Sequence, residues 1–191
     1  MLVRLLTVSV VVMCLSSCQD SADKQVSTSI KDSVGKDVSV LEVDFAVKAN
    51  PNQMADFKDG IVPWASIKDA QQDAKILIDA DTIIITANSA TLSVDYPVKA
   101  PVSFKITSEN GFTKAELLQK IGQTYQKIYA TEEATSTVKT VPMAERKGLI
   151  NRNETDGKYG VWGHDIHDLD LSHATITCKN GECVIDLGIE S

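Results

Sequence analysis

The chain has 191 residues, and its 26 acidic and 19 basic side chains give a formal net charge of −7. This length accommodates one domain with a sizeable hydrophobic core, and 43% of the residues are hydrophobic. Because an acidic surface repels phosphate groups, nucleic-acid binding is excluded as a function class.

The first 17 residues have the layout of an export signal. Arg4 supplies a positive charge, an apolar run extends from residue 5 to residue 15, and the small residues Ser16 and Ser17 precede Cys18. The apolar run is too short to cross a bilayer, since a spanning helix needs roughly 20 apolar residues. We therefore expect residues 1–17 to be a signal peptide that is removed.

The segment Leu15-Ser16-Ser17-Cys18 resembles the lipobox of bacterial lipoproteins, in which an aliphatic and two small residues precede a cysteine. The resemblance implies that Cys18 becomes the first residue, that its thiol carries a diacylglyceryl group and that its amino group is acylated, for example with palmitate. The competing interpretations are an ordinary secretory signal with a chance cysteine and a buried apolar helix. Since two or three acyl chains make release very slow, the expected partner is a membrane, reached through the lipid anchor.

The residues that follow Cys18 bear on location and domain organisation. In enterobacterial lipoproteins an aspartate directly after the cysteine retains the protein in the inner membrane, and Gln19 stands there. The resemblance therefore implies the outer membrane, while the periplasmic or surface side stays open. Residues 18–37 are polar and lack aromatic residues, which predicts a lipidated N-terminus with a flexible tether before one globular domain over residues 38–191.

Several short segments of the domain have the pattern of β-strands. Val43, Phe45 and Val47 alternate with polar residues, as in a half-buried strand. Further strand-like runs cover residues 76–80 with 83–86, then 91–96 and 102–107, separated by turn residues and prolines. Residues 54–74 predict a loop with one short helical turn. The pattern indicates an antiparallel sheet.

One amphipathic helix is predicted over about residues 114–130. Thr113 is placed to cap it while Glu116 reaches back three residues later in a capping box, and Phe112 with Leu117 forms the hydrophobic staple. Apolar residues then recur at helical spacing and predict a stripe that lies on the sheet: Leu118, Ile121, Tyr125 and Ile128.

The C-terminus predicts a β-hairpin. Residues 174–178 and 183–187 flank a turn with Asn180-Gly181 at its centre, which favours a type I′ turn. This register places Cys178 opposite Cys183, close enough for a cross-strand disulfide in an oxidising compartment, with free thiols or metal ligation as alternatives.

The segment 151–170 concentrates glycines, aromatic residues, histidines and aspartates, and three functional interpretations compete with a purely structural loop. A shallow sugar- or peptide-binding platform would use Tyr159, Trp162, His164 and Asp165, with hydrogen-bonding edges from residues 151–153. A divalent metal, the one cofactor considered, would use His164, His167 and Asp168. An acid/base pair would use His164 with Asp165, although no catalytic nucleophile is identified.

These observations lead to one fold prediction and two functional hypotheses. The predicted fold is α+β: an antiparallel sheet of five to seven strands, the helix at about 114–130 and the C-terminal hairpin. The leading hypothesis is a non-enzymatic, membrane-anchored lipoprotein of the cell envelope that binds an envelope protein or a small ligand. The alternative hypothesis is a metal-assisted hydrolase that uses the cluster from His164 to Asp170.

Overall fold

The computed structural model of the protein describes residues 27–31, 37–147 and 151–191. The predicted signal peptide, Cys18 and much of the predicted tether lie outside these residues. The predicted α+β class is confirmed, with one long helix and a sheet that is mostly antiparallel. Within the described ranges, no helix has the length and apolar character needed to cross a bilayer.

The elements follow one another in a simple order. The strands are β1 (Ser27–Lys31), β2 (Asp37–Asp44), β3 (Val47–Lys48), β4 (Ile61–Val62), β5 (Ala65–Ser66), β6 (Ile83–Ile85), β7 (Ser89–Val94), β8 (Val102–Thr107), β9 (Phe112–Thr113), β10 (Asp170–Lys179) and β11 (Glu182–Glu190). The helices are α1 (Ala70–Asp73), α2 (Lys114–Thr135) and two 3₁₀ turns at Met143–Glu145 and Ile166–Asp168.

The main sheet has the strand order β1-β2-β10-β11-β7-β8, and β5 pairs with the start of β10. All of its pairings are antiparallel except that between β11 and β7, which is parallel. Because parallel strands run in one direction, the carboxyl ends of β7 and β11 meet at the same end of the sheet. The start of β8 lies at this end too, beside the glycine-rich segment that the sequence indicates as a candidate site. We therefore call it the functional end.

The C-terminal hairpin has the predicted register. Cys178 pairs with Cys183 across the two strands, and the sulfur atoms are at disulfide distance. Asn180 and Gly181 have φ angles of 54° and 82°, and positive φ at both central positions is the signature of the type I′ turn. Ala174, Ile176 and Ile185 are buried on one face while Val184 is exposed on the other, as the alternation predicts.

Helix α2 begins where the sequence predicts and continues five residues beyond Ala130. The Thr113 hydroxyl accepts a hydrogen bond of 3.1 Å from the Glu116 amide, which confirms the N-cap. The Glu116 carboxylate instead accepts the Ser108 hydroxyl at 2.9 Å, so it ties the helix start to the segment after β8. The apolar stripe is fully shielded from solvent, and it comprises Leu117, Leu118, Ile121, Tyr125 and Ile128.

The strand predicted over residues 76–80 is absent from the described structure. Leu77 forms only an isolated bridge with Val47, and Asp79 has a φ of 55°. A left-handed backbone at Asp79 turns the chain, so the extended run ends before it can pair. Residues 83–85 do form a strand, and β6 pairs with β9 rather than with the main sheet.

A matched pair of glycine variants tests this packing. Gly111 and Gly181 have φ angles of 80° and 82°, so alanine costs roughly 1–2 kcal/mol of backbone strain at either position. A Cβ at Gly111 would also lie 2.5 Å from the Ile85 carbonyl oxygen, whereas nothing lies within 4 Å of one at Gly181. We expect Gly111→Ala to lower the unfolding free energy more than Gly181→Ala does, measured by urea denaturation. Equal losses would contradict the close approach at Gly111.

Candidate functional site

The glycine-rich loop, residues 151–165, is held in place by a carboxylate from the last turns of α2. Glu132 is fully shielded from solvent. Its Oε1 accepts the Thr155 hydroxyl at 2.6 Å and the Gly157 amide at 2.8 Å. Its Oε2 accepts the amides of Tyr159 at 2.7 Å and Gly160 at 3.1 Å. One side chain therefore orders six consecutive residues of the loop.

These hydrogen bonds decide the ionisation of Glu132. Burial alone would raise the pKa of this carboxyl, but the donors from Thr155, Tyr159 and Gly157 outweigh burial and hold the pKa below its ordinary value. Gly157 is required at the point of contact, because a Cβ there would lie 2.6 Å from the Glu132 carbonyl oxygen and 2.7 Å from its carboxyl carbon. The loop and the helix end therefore form one rigid unit.

Two arginines stabilise the rest of the loop. Arg152 is buried, and it donates to the Val161 carbonyl at 2.9 Å and to the Thr140 hydroxyl at 2.6 Å. Arg146 binds both carboxylate oxygens of Asp165, at 2.6 and 3.0 Å. The sequence suggested Arg152 and Asp165 as ligand contacts. In the structure their polar atoms form hydrogen bonds within the protein instead.

An aromatic patch lies at the functional end, and we define it as Tyr96, Trp162 and His164. The ring centroids of Tyr96 lie 5.3 Å from Trp162 and 5.7 Å from His164. Trp162 is 41% exposed although it is a large apolar side chain. Ser191 adds a polar edge, because its hydroxyl lies 3.0 Å from the Tyr96 hydroxyl and 3.5 Å from His164 Nε2.

Two tyrosines of helix α2 hold the backbone of this patch through hydrogen bonds. The Tyr125 hydroxyl donates to the Tyr96 carbonyl, and the Tyr129 hydroxyl donates to the His164 carbonyl, both at 2.8 Å. Burial raises the pKa of both tyrosines, so both hydroxyls keep their protons and remain donors. The Trp162 amide donates to the Pro97 carbonyl at 3.1 Å. The exposed indole therefore projects from a backbone that is held on both sides.

A separate cleft of about 610 Å³ lies between the glycine-rich loop and the start of β8. We call it the Tyr159 cleft. Its apolar lining includes Tyr159, Val102 and Val138, while Lys99, Lys158, Glu154 and Asp156 supply charge. The loop and the β8 approach are joined by the Lys99 amide, which donates to the Tyr159 carbonyl at 3.0 Å.

A third group of side chains has the composition of a metal site. Ligand atoms of Asp165, His167 and Asp168 lie within 4.8 Å of one another, whereas His164, predicted as a ligand, is not part of this group. The Arg146 guanidinium already occupies both oxygens of Asp165, and a bound cation would have to compete with it. His167 Nε2 also lies 3.4 Å from Asp168. These contacts favour a structural role for the group.

The four residues predicted to bind a ligand thus separate into different environments. Trp162 and His164 share the aromatic patch, Tyr159 is buried beside its own cleft, and Asp165 is bound to Arg146. Sequence reasoning missed Tyr96 and Ser191, which are far from the loop along the chain. Only the parallel pairing of β7 with β11 brings these two together, and no local pattern announces that pairing.

Comparison with known proteins adds no relative to these geometric observations. No family model, no curated protein and no solved structure matches the chain.

Replacement of Glu132 by glutamine tests its role as the anchor of the loop. Whichever way the amide is turned, its NH₂ group faces at least one backbone N–H donor and leaves that donor without an acceptor. We expect Glu132→Gln to lower the unfolding free energy by about 3 kcal/mol at pH 7, measured by urea denaturation. Glu133→Gln, at an exposed neighbouring position, is the control and should have almost no effect.

The same variant has a pH signature. Because the folded-state pKa of Glu132 lies below the ordinary value of 4.5, its contribution is complete above pH 4.5 and is lost as the pH falls through the folded pKa. We expect the stability difference between wild type and Glu132→Gln to shrink on acidification below that value. A difference that stayed constant down to pH 2 would contradict an ionised Glu132.

Proposed function

We propose that the protein is a lipid-anchored lipoprotein of the bacterial cell envelope whose domain binds carbohydrate through the aromatic patch. The lipid anchor is supported by the lipobox-like segment that ends at Cys18. The binding function is supported chiefly by one observation: Trp162 is 41% exposed on a backbone that the structure holds rigid.

The surroundings of Trp162 favour a sugar over a protein partner. A sugar ring presents one apolar C–H face and a polar rim, and it therefore matches an indole face bordered by hydroxyl and imidazole groups. The rings of Tyr96 and His164 lie beside the Trp162 ring, and the Ser191 hydroxyl lies near both the Tyr96 hydroxyl and His164 Nε2. A stable protein interface commonly buries about 800 Å² on each partner, whereas this patch contains one exposed large apolar side chain.

Preorganisation supports binding by so small a surface. Tyr125 and Tyr129 hold the backbone beneath two residues of the patch, so little conformational entropy is lost when a ligand settles on it. The metal-assisted hydrolase is a weaker candidate, because Arg146 neutralises the carboxylate that the metal group would need.

Tryptophan fluorescence tests the sugar proposal directly. The chain has two tryptophans, and Trp64 lies elsewhere, in edge contact with Phe57 at 5.6 Å. In a Trp64→Phe variant, Trp162 is the only reporter. We expect neutral oligosaccharides such as chitotriose and cellotriose to give a saturable emission change. By calorimetry, Trp162→Ala should weaken binding about tenfold, or about 1.4 kcal/mol, while Trp64→Phe binds as wild type does.

Two results would overturn the sugar proposal. One is the absence of saturable binding by any neutral oligosaccharide to a folded domain. The other is a protein partner whose cross-linking to the envelope lipoprotein requires Trp162, because the patch would then serve a protein interface.

The lipid anchor has an independent test with an internal control. Metabolic labelling with a palmitate analogue should mark the wild-type protein, and the label should be lost in Cys18→Ser. Cys14→Ser should label normally, because Cys14 lies inside the apolar run that is removed with the signal peptide. Labelling that persists in Cys18→Ser would contradict the anchor.

A further inference from the structure

The Tyr159 cleft is a second site that the aromatic patch does not use. Its apolar lining includes the exposed Val138 and the half-buried Val102, together with Tyr159. Val138 is 49% exposed. Apolar side chains that line an open cleft of about 610 Å³ are available to contact the apolar body of a small ligand.

The charges of this cleft carry both signs. Lys99, Lys158 and Glu154 line it, and none of the three forms an ion pair with another residue in the described part of the chain. Lys158 Nζ instead lies over the Tyr159 ring, 5.3 Å from its centroid. These three charged groups are therefore available to a ligand.

The fourth charged side chain has a different role. Asp156 accepts the amides of Thr137 and Val138 at 2.8 and 2.7 Å, and it accepts the Thr137 hydroxyl as well. The Thr137 hydroxyl and these amides hold the pKa of Asp156 below its ordinary value. Asp156 thus anchors the segment that carries Val138, and it balances the lining to a formal charge of zero.

The backbone beside the cleft indicates the shape of the ligand. Val102 is the first residue of β8, and β8 is the last strand in the order of the sheet. On its outer side β8 pairs with no strand that the structure describes, so no described strand occupies its backbone N–H and C=O groups there. Such an edge receives an extended peptide by strand addition, which an alkyl chain cannot exploit.

From these four observations we propose that the Tyr159 cleft binds a short apolar peptide with free termini. The C-terminal carboxylate of the peptide contacts Lys99 and Lys158, and its N-terminal ammonium contacts Glu154. The apolar side chains lie against Tyr159, Val102 and Val138. This site is independent of sugar binding at the aromatic patch.

Blocked peptides and charge variants together test the proposal. The probes are trileucine, its N-acetyl form and its C-terminal amide, titrated into the folded domain by calorimetry or by NMR shifts. We expect unblocked trileucine to bind best. Lys99→Ala and Lys158→Ala should each weaken its binding about threefold to fivefold, as surface ion pairs do, yet leave binding of the amide unchanged. Glu154→Gln should weaken trileucine but leave the N-acetyl form unchanged.

Two control variants separate this site from others. Lys105→Ala removes an exposed lysine of β8 that does not line the cleft, and it should bind as wild type does. Trp162→Ala should also leave peptide binding unchanged, because Trp162 does not line the Tyr159 cleft. The peptide proposal can therefore hold even if the sugar proposal fails.

Three outcomes would overturn the peptide proposal. The first is no saturable binding of any of the three peptides. The second is equal affinity for blocked and unblocked forms. The third is tighter, lysine-dependent binding of dodecanoate, which would make the cleft a site for fatty acids.

Discussion

The carboxylate of Glu132 accepts four hydrogen bonds in a position that solvent does not reach, and both candidate sites depend on this arrangement. It fixes residues 155–160 against the end of α2. The Tyr159 cleft lies on one side of that segment, and Trp162 follows it after Val161. Residues 157–163 include three glycines, and ordering such a flexible segment costs a large amount of conformational entropy. The helix supplies that order from outside the loop.

A second carboxylate at the functional end has the opposite environment. Burial raises the pKa of Asp170 to about 6, and the charges of Asp73 and of its cross-strand partner Glu190 add to the shift. Because this folded-state pKa exceeds the usual value near 3.9, Asp170 lowers stability above pH 6, and the penalty disappears as the pH falls through 6 toward 4. Glu132 has donors that compensate for burial, and no residue in the described part of the chain supplies such donors to Asp170. Hydrogen bonds, more than burial, therefore decide which carboxylate stabilises the fold.

Local sequence patterns predict the individual helix and strand elements but not the tertiary contacts between them. The N-cap at Thr113 and the Asn180-Gly181 turn each depend on residues within a few positions, and the structure confirms both. Glu132 could not be recognised in this way, because at the end of a helix an acidic residue ordinarily faces solvent. The residues that meet it are 23 to 28 positions away in the chain. The loop pattern suggests Asp165 as a ligand contact, and it gives no sign of Arg146, the partner of Asp165, which lies 19 positions earlier.

The strand order also determines the edge of the sheet at which an N-terminal anchor would join the domain. The chain enters the sheet through β1 at one edge, and β8, beside the Tyr159 cleft, forms the other edge. Five strand spacings of about 4.8 Å separate these edges, which amounts to about 24 Å. If Cys18 carries the proposed lipid, the anchor joins the domain at β1, the edge remote from the cleft. A domain anchored as proposed would therefore expose its β8 edge, and the Tyr159 cleft beside it, on the side away from the point where the chain enters the sheet.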